Sequence, residues 1–192
     1  MEACKLAQAR SFLRFLDHPE GVAWVITDRR RATALARLIG RKEWQNESKG
    51  RTLENSLGKQ PIGVIEAMQF DACALIEGGP DMLAAFELII QAGAQEKVSV
   101  ICMASTRSQF SPLDLKRLRG KSVRLFPHAD KEGIAAAVRW IGQLEGVCAH
   151  IDVVDLRGIA KDLNDLTSLD DERWKKVMVF GEKGVVDESA SI

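Results

Sequence analysis

Three apolar runs in this chain lead into loops that carry acids, and those acids are the residues best placed to do chemistry. Ala72-Cys73-Ala74-Leu75-Ile76 runs into Glu77, with Asp81 four positions later; Ser122 to Phe126 leads to His128 and Asp130; Ile151 to Val154 leads to Asp162 and Asp165. A short uninterrupted apolar run is the pattern of a parallel strand buried on both faces. Glu77 closes the first run, and a carboxylate ending a buried strand needs a partner or a metal. Gly78 and Gly79 permit a sharp turn, Pro80 suits the first position of a helix, and Asp81 then falls in that helix's first turn. Each acid also has a local reading. Asp81 would complement a helix dipole, Asp130 would cap a helix, and Asp162 with Asp165 would form a solvated turn.

The spacing predicts more than local roles. Loops that follow parallel strands open on one edge of the sheet, the edge where ligands bind in open α/β folds. These acids are therefore expected to cluster, although their loops are far apart in sequence. Two like charges about 4 Å apart repel by roughly 4 kcal/mol at an effective dielectric of 20. Three or four acids together thus call for a cation, and oxygen-rich sites select magnesium or manganese.

The elements that must position these residues follow from periodicity. Val98 to Met103 is a second buried strand, Ser122 to Phe126 a third and Ile151 to Val154 a fourth, with helices after Asp81, over Leu113–Leu118 and from Ile134 to Leu144. Alternation of strands and helices predicts an open sheet of about four mainly parallel strands flanked by helices. Upstream, residues 1–20 read as one amphipathic helix ended by His18-Pro19, and Val22 to Thr27 as a strand. Asp28 is then expected to cap a helix whose apolar face is Ala32, Leu35, Ala36 and Ile39. Residues 42–60 read as an exposed loop, and Trp174, Val177 and Met178 as an amphipathic piece before a polar end. The expected division is an N-terminal α/β appendage over 1–66, a main domain over 67–170, and a C-terminal helix and tail over 171–192.

Composition excludes several classes. Among 192 residues, 27 Lys and Arg balance 27 Asp and Glu, so the whole chain is not a basic nucleic-acid coat. Locally, Arg29 to Arg51 is basic, and Arg29-Arg30-Arg31 is either a phosphate-binding patch or a solvated helix face. Cys4, Cys73, Cys102 and Cys148 are widely spaced and show no zinc pattern, which points to a reduced, cytoplasmic chain. The charged N-terminus is expected to hold no signal peptide, and no apolar run nears the eighteen residues of a membrane span.

EGGPD at Glu77–Asp81, HADKEG at His128–Gly133 and KDLND at Lys161–Asp165 resemble the three motifs of the Toprim domain. That domain is shared by DnaG-type primases, primase-helicases of phages and plasmids, type IA and II topoisomerases and some nucleases; KDLND most resembles the primases of mobile elements. The resemblance covers about residues 68–167. It implies phosphoryl or nucleotidyl transfer assisted by Mg2+ or Mn2+, on single-stranded DNA with nucleoside triphosphates. Glu77 would be general acid/base or metal ligand, Asp130 a ligand, Asp162 or Asp165 a support for the metal, and Asp81 an orienting group. Arg29, Arg30, Arg31, Lys131 and Lys161 would contact nucleic acid. One position departs from the family: His128 stands where the second motif begins with Asp. An imidazole there redirects metal choice, contacts a phosphate, weakens the site, or is simply a turn residue. With no zinc ribbon and no Gly-x-x-x-x-Gly-Lys-Ser/Thr loop, a primase of this kind would be a stand-alone subunit, a fragment, or a domain working beside a separate replicative helicase or zinc-binding subunit. Competing expectations are a Toprim nuclease using the same acids, a non-catalytic binding module, and an unrelated doubly wound domain with a small ligand.

Overall fold

A computed structural model describes residues 1–40, 43–45, 48–53, 60–169 and 177–180. The chain opens with α1 (Glu2–Ala9), whose Ala3 and Ala7 lie one turn apart on the buried face. Strands β1 (Leu13–His18), β2 (Gly21–Ile26), β3 (Leu35–Leu38) and β4 (Arg51–Thr52) then pair in sequence order as an antiparallel sheet. After the short α2 (Val64–Ala67) strands and helices alternate: β5 (Ala72–Glu77), α3 (Gly79–Gln91), β6 (Val98–Met103), α4 (Pro112–Leu118), β7 (Ser122–Phe126), α5 (Lys131–Leu144), β8 (His150–Val153) and α6 (Leu163–Leu166).

Strands β5 to β8 form the expected parallel sheet, in the order β6-β5-β7-β8. The chain steps from β5 to β6, then crosses back over β5 to β7. That reversal makes the gap between β5 and β7 the switch point of the sheet, where a crevice opens at the carboxyl ends. Glu77 ends β5, and the His128 loop follows β7.

The sheet is buried on both faces because its side chains alternate between two apolar clusters. Ala74, Ile76, Val100 and Cys102 pack with Met82, Ala85, Phe86 and Ile89 of α3. Cys73, Leu75, Ile101 and Met103 pack on the other side with Leu118 of α4 and Ala136, Ala137 and Trp140 of α5. The first cluster also takes in Ala3, Ala7, Phe12, Leu13, Ile26 and Ile62, so the N-terminal elements share a core with the parallel sheet. A third, smaller cluster of Ala23, Val25, Ala36, Leu38 and Trp44 lies on the opposite face of the antiparallel sheet.

Gly63 shows how tightly the two parts meet. Its φ is 96°, and a Cβ there would stand 2.4 Å from the Val100 carbonyl oxygen. Beside it, Ile62 exchanges both backbone hydrogen bonds with Cys102 of β6. Toward the opposite edge of the sheet, buried Arg124 of β7 bonds Asp152 opposite it on β8 and donates to the carbonyls of Val177 and Val179.

Two upstream expectations are corrected. Residues 1–20 are not one helix: α1 stops near Arg10, Ser11 takes a φ of 66°, and Leu13, Phe15 and Leu16 lie in β1. Pairing with β2 outweighs the local helical spacing, and His18-Pro19 is the corner of a hairpin. Nor is there a helix over Ala32–Ile39. Asp28 Oδ1 accepts the backbone N–H groups of Arg30 and Arg31, which turns the chain, and β3 then pairs with β2. Asp28 thus caps a turn, and its Oδ2 accepts from Gly63 N–H. The expected loop over 42–60 contains β4. Val177 and Met178 are buried, while Trp174 lies outside the described residues.

Candidate functional site

The site is assembled from three loops at the carboxyl edge of the parallel sheet. β5 carries Glu77 in register with Met103 of β6, and the chain then turns through Gly78. Gly78 has a φ of 87°, and a Cβ on Gly79 would stand 3.2 Å from the Trp24 ring and 3.3 Å from Ile26 Cγ1. The first glycine is needed for conformation and the second for close approach. Pro80 starts the helix, and Asp81 enters its first turn almost fully buried.

Asp81 is the centre of the cluster. Its Oδ1 accepts the backbone N–H of Asn164 at 3.0 Å, and its Oδ2 lies 2.8 Å from His128 Nε2. One carboxylate therefore ties α3 to the loop after β7 and to the first turn of α6. Ala129 N–H donates to the Lys161 carbonyl at 2.8 Å, which holds those two loops together. Asp162 joins from the third loop: ligand atoms of Asp81, His128 and Asp162 all lie within 4.8 Å of one another.

The charges in this cluster act on one another strongly. Burial alone would lower the His128 pKa, but the hydrogen bond and charge of Asp81, with Glu77 and Asp162, raise it to about 9. His128 is consequently an imidazolium at neutral pH. Burial raises the Asp81 pKa, opposed by His128 and the Asn164 N–H. Glu77 is half-buried, and its Oε2 is buried without a hydrogen-bond partner among the described residues. Burial pushes its carboxyl up, His128 pulls it down, and Asp130 and Asp81 push it further up.

The other sequence-predicted residues take varied places. Asp130 caps α5 by accepting from Gly133 N–H at 2.8 Å; its charge reaches Glu77, and its side chain is exposed. Asp162 caps α6, accepting from Asp165 N–H at 2.8 Å. The local readings of these two acids therefore coexist with clustering. Asp165 is exposed and is not in the Asp81–His128–Asp162 group. Lys131 opens α5 and Lys161 precedes α6, both exposed.

The three arginines separate. Arg29 and Arg31 are exposed on the loop after β2, whereas Arg30 bridges Asp28 (3.2 Å), the buried Asp114 (3.4 Å) and the Pro61 carbonyl (2.7 Å). Sequence reasoning missed Asn164 as a donor to Asp81, and also Trp24 and Arg37, which approach the Gly78–Gly79 turn from the antiparallel sheet. The glycine pair was the available signal, since a second glycine after a strand asks what packs against it.

The donor set is two carboxylates and an imidazole, a mixture that suits manganese better than magnesium. Two ligands each about 2.1 Å from one ion lie at most about 4.2 Å apart. With a spread of up to 4.8 Å, the three atoms would have to draw together, and His128 lose its proton, to hold one ion.

No protein-family model matches the chain, and no curated protein matches it. Among solved structures it is similar to the crystal structure of a DNA primase domain from Pseudomonas aeruginosa, with a TM-score of 0.50 and 16% identity over 85% of this chain and 54% of that one. The likeness is one of fold: a four-stranded parallel sheet flanked by helices, as in a primase domain. The chain spans about half the length of that structure. No helix among the described residues is long and apolar enough to cross a membrane.

Proposed function

We propose that this chain is a Toprim-type, primase-like domain that transfers nucleotides to a strand held on single-stranded DNA. The observation that carries the reading is Glu77: a carboxylate at the switch point of a primase-like fold, with one buried oxygen unpartnered and a raised pKa, beside a group able to hold a cation. A carboxylate whose pKa burial raises is a stronger base toward a hydroxyl proton than an ordinary one.

In the proposed step the strand's 3′-hydroxyl oxygen bonds to the α-phosphorus of a nucleoside triphosphate. The bond from that phosphorus to the bridging oxygen breaks, and pyrophosphate leaves with the electron pair. Glu77 takes the hydroxyl proton. Asp81, His128 and Asp162 would hold manganese or magnesium, which supplies charge neutralisation for the phosphates when bound. Asp130 raises the basicity of Glu77, and Asp165 steadies Asp162 through its N–H. Lys131, Lys161, Arg29 and Arg31 are proposed to meet the nucleic-acid backbone. Residues 67–170 form the proposed catalytic unit, with 1–66 on its substrate side and 171–192 as its tail. A mobile-element setting, a cytoplasmic location and a separate helicase or zinc-binding subunit belong to the same reading.

The test is nucleotide incorporation by the full chain on a single-stranded template with manganese. Wild-type protein lengthens a labelled strand, and Glu77→Gln lowers the rate by about 10²- to 10⁴-fold. Shortening of the strand would assign a nuclease instead. A second reading, a non-catalytic binding domain, is favoured by the His128–Asp81 pair, in which the imidazolium supplies the positive charge itself. Absence of both lengthening and shortening would select it.

A further inference from the structure

We propose that the antiparallel sheet presents a stacking platform for single-stranded DNA, formed by Phe15, Trp24 and Arg37. This rests on the nucleic-acid reading of the strand-end site and adds the surface that would deliver the strand to it. Phe15 of β1 is paired with Trp24 of β2, and Trp24 with Arg37 of β3. Residues directly opposite one another share a face, so the three side chains form one row across three strands. The next row outward on that face holds exposed Asp17 opposite Val22, with Ile39 just beyond β3 bonded to Val22 through Ile39 N–H and the Val22 carbonyl, so the acid lies at the rim of the patch and Arg37 within the row. Phe15, Val22 and Ile39 are 56%, 46% and 51% exposed, unusual for such side chains standing together.

Charge complementarity and continuity argue for a nucleic-acid strand as the occupant. Arg37 makes no hydrogen bond or ion pair among the described residues, so its guanidinium is available to a phosphate or a base plane. Single-stranded DNA binding combines a cationic track with aromatic faces on which bases stack. The row also runs into the strand-end crevice. A pocket of about 170 Å³ is lined by Trp24 and Arg37 from the sheet and by Gly78, Gly79 and Ala104 from the ends of β5 and β6. The Trp24 ring is tight against Gly79, two residues after Glu77. A strand lying along the row has its next nucleotide over the pocket.

The experiment measures binding of fluorescein-labelled oligo(dT), and of an abasic strand of equal length, to the full chain by anisotropy across a salt series. Wild type is expected to prefer oligo(dT). Phe15→Ala should weaken oligo(dT) binding about 5- to 100-fold, the loss of one stacked base, and erase that preference, while Phe15→Tyr retains it. Arg37→Ala should reduce the steepness of the salt dependence by about one phosphate. Melting temperatures report folding, and Arg37→Ala tests the row independently if Phe15→Ala unfolds.

Unchanged affinity in both alanine variants overturns the platform. Nucleotide transfer that is still lost in Glu77→Gln would then leave the site reading standing. No binding of oligo(dT) by wild type overturns both the platform and single-stranded DNA as substrate. A change in sedimentation of Phe15→Ala, with oligo(dT) affinity intact, would assign the patch to self-association and also overturn it.

Discussion

His128 Nε2 lies 2.8 Å from Asp81 Oδ2, and this bond spans the switch point from the loop after β7 to the helix after β5. It joins the second acidic motif to the first. It also places a positive charge among Asp81, Glu77 and Asp162.

Stability should fall as pH rises through the titration of that pair. The folded His128 pKa is raised from 6.5 to about 9. Its contribution is therefore fully present below about pH 6.5 and is lost as pH climbs through about 9, an effect of about 3 kcal/mol at most. Urea midpoints from pH 6 to 10 measure it. The decline should flatten in His128→Asn.

Proton and metal should compete at the same nitrogen. Below about pH 9 each bound manganese displaces one proton, so apparent affinity rises about tenfold per pH unit. Calorimetry in buffers of different ionisation enthalpy counts the released proton. His128→Asp should remove that proton release and raise magnesium affinity, since a hard anionic oxygen replaces a nitrogen. Equal pH dependence in both proteins would take His128 out of the ligand set.

Glu77→Gln should separate folding from chemistry. Burial of the Glu77 oxygen works against its charge, so a neutral amide of the same shape is expected to leave the melting temperature at neutral pH unchanged or higher. Loss of transfer with that thermal profile identifies a functional carboxylate. A fall in melting temperature of several degrees would mark Glu77 as structural.

Arg30 should matter to the fold, and Arg29 should not. Removing the Arg30 guanidinium takes one cation from Asp28, which keeps its backbone N–H donors, and one from the buried Asp114, which keeps Ser111 and Arg117, so Arg30→Ala is expected to cost about 1–3 kcal/mol by denaturant unfolding. Exposed Arg29→Ala should stay within about 0.5 kcal/mol.

Gly133→Ala tests how the His128 loop is held. A Cβ at Gly133 would stand 2.5 Å from the His128 carbonyl oxygen and 2.7 Å from its Cβ. The loop must move, at about 1–3 kcal/mol, and the pH-dependent part of the stability should shrink with it. Unchanged pH dependence would mean that the Asp81 bond survives the displacement.

The parallel half of the molecule was legible because β5 and β6 are almost continuous apolar runs, and the strand–helix alternation then placed β7 and β8, which Arg124 and Asp152 interrupt. Burial on both faces leaves such a segment few other structures. The antiparallel half was not. Ala32, Leu35, Ala36 and Ile39 have the spacing of a helical stripe, yet β2 offers backbone partners that make Leu35–Leu38 a strand. The same ambiguity hid β1, where Leu13, Phe15 and Leu16 satisfy both periods. At the site, the edge on which the three loops open followed from the strand pattern. That His128 would bond Asp81 did not, because a contact between loops 47 residues apart leaves no spacing to read.

Arg124 has a consequence for the timing of folding. Its guanidinium is almost fully buried, and its inner hydrogen bond goes to the Val177 carbonyl, 53 residues further along the chain. At ordinary rates of synthesis, roughly 3–10 s separate the two residues as they are made. Through that interval Asp152, 28 residues on, is made first, and the Arg124 cation still lacks its two carbonyl partners. Burial of the Arg124 guanidinium is therefore complete only after Val177 and Val179 have been made.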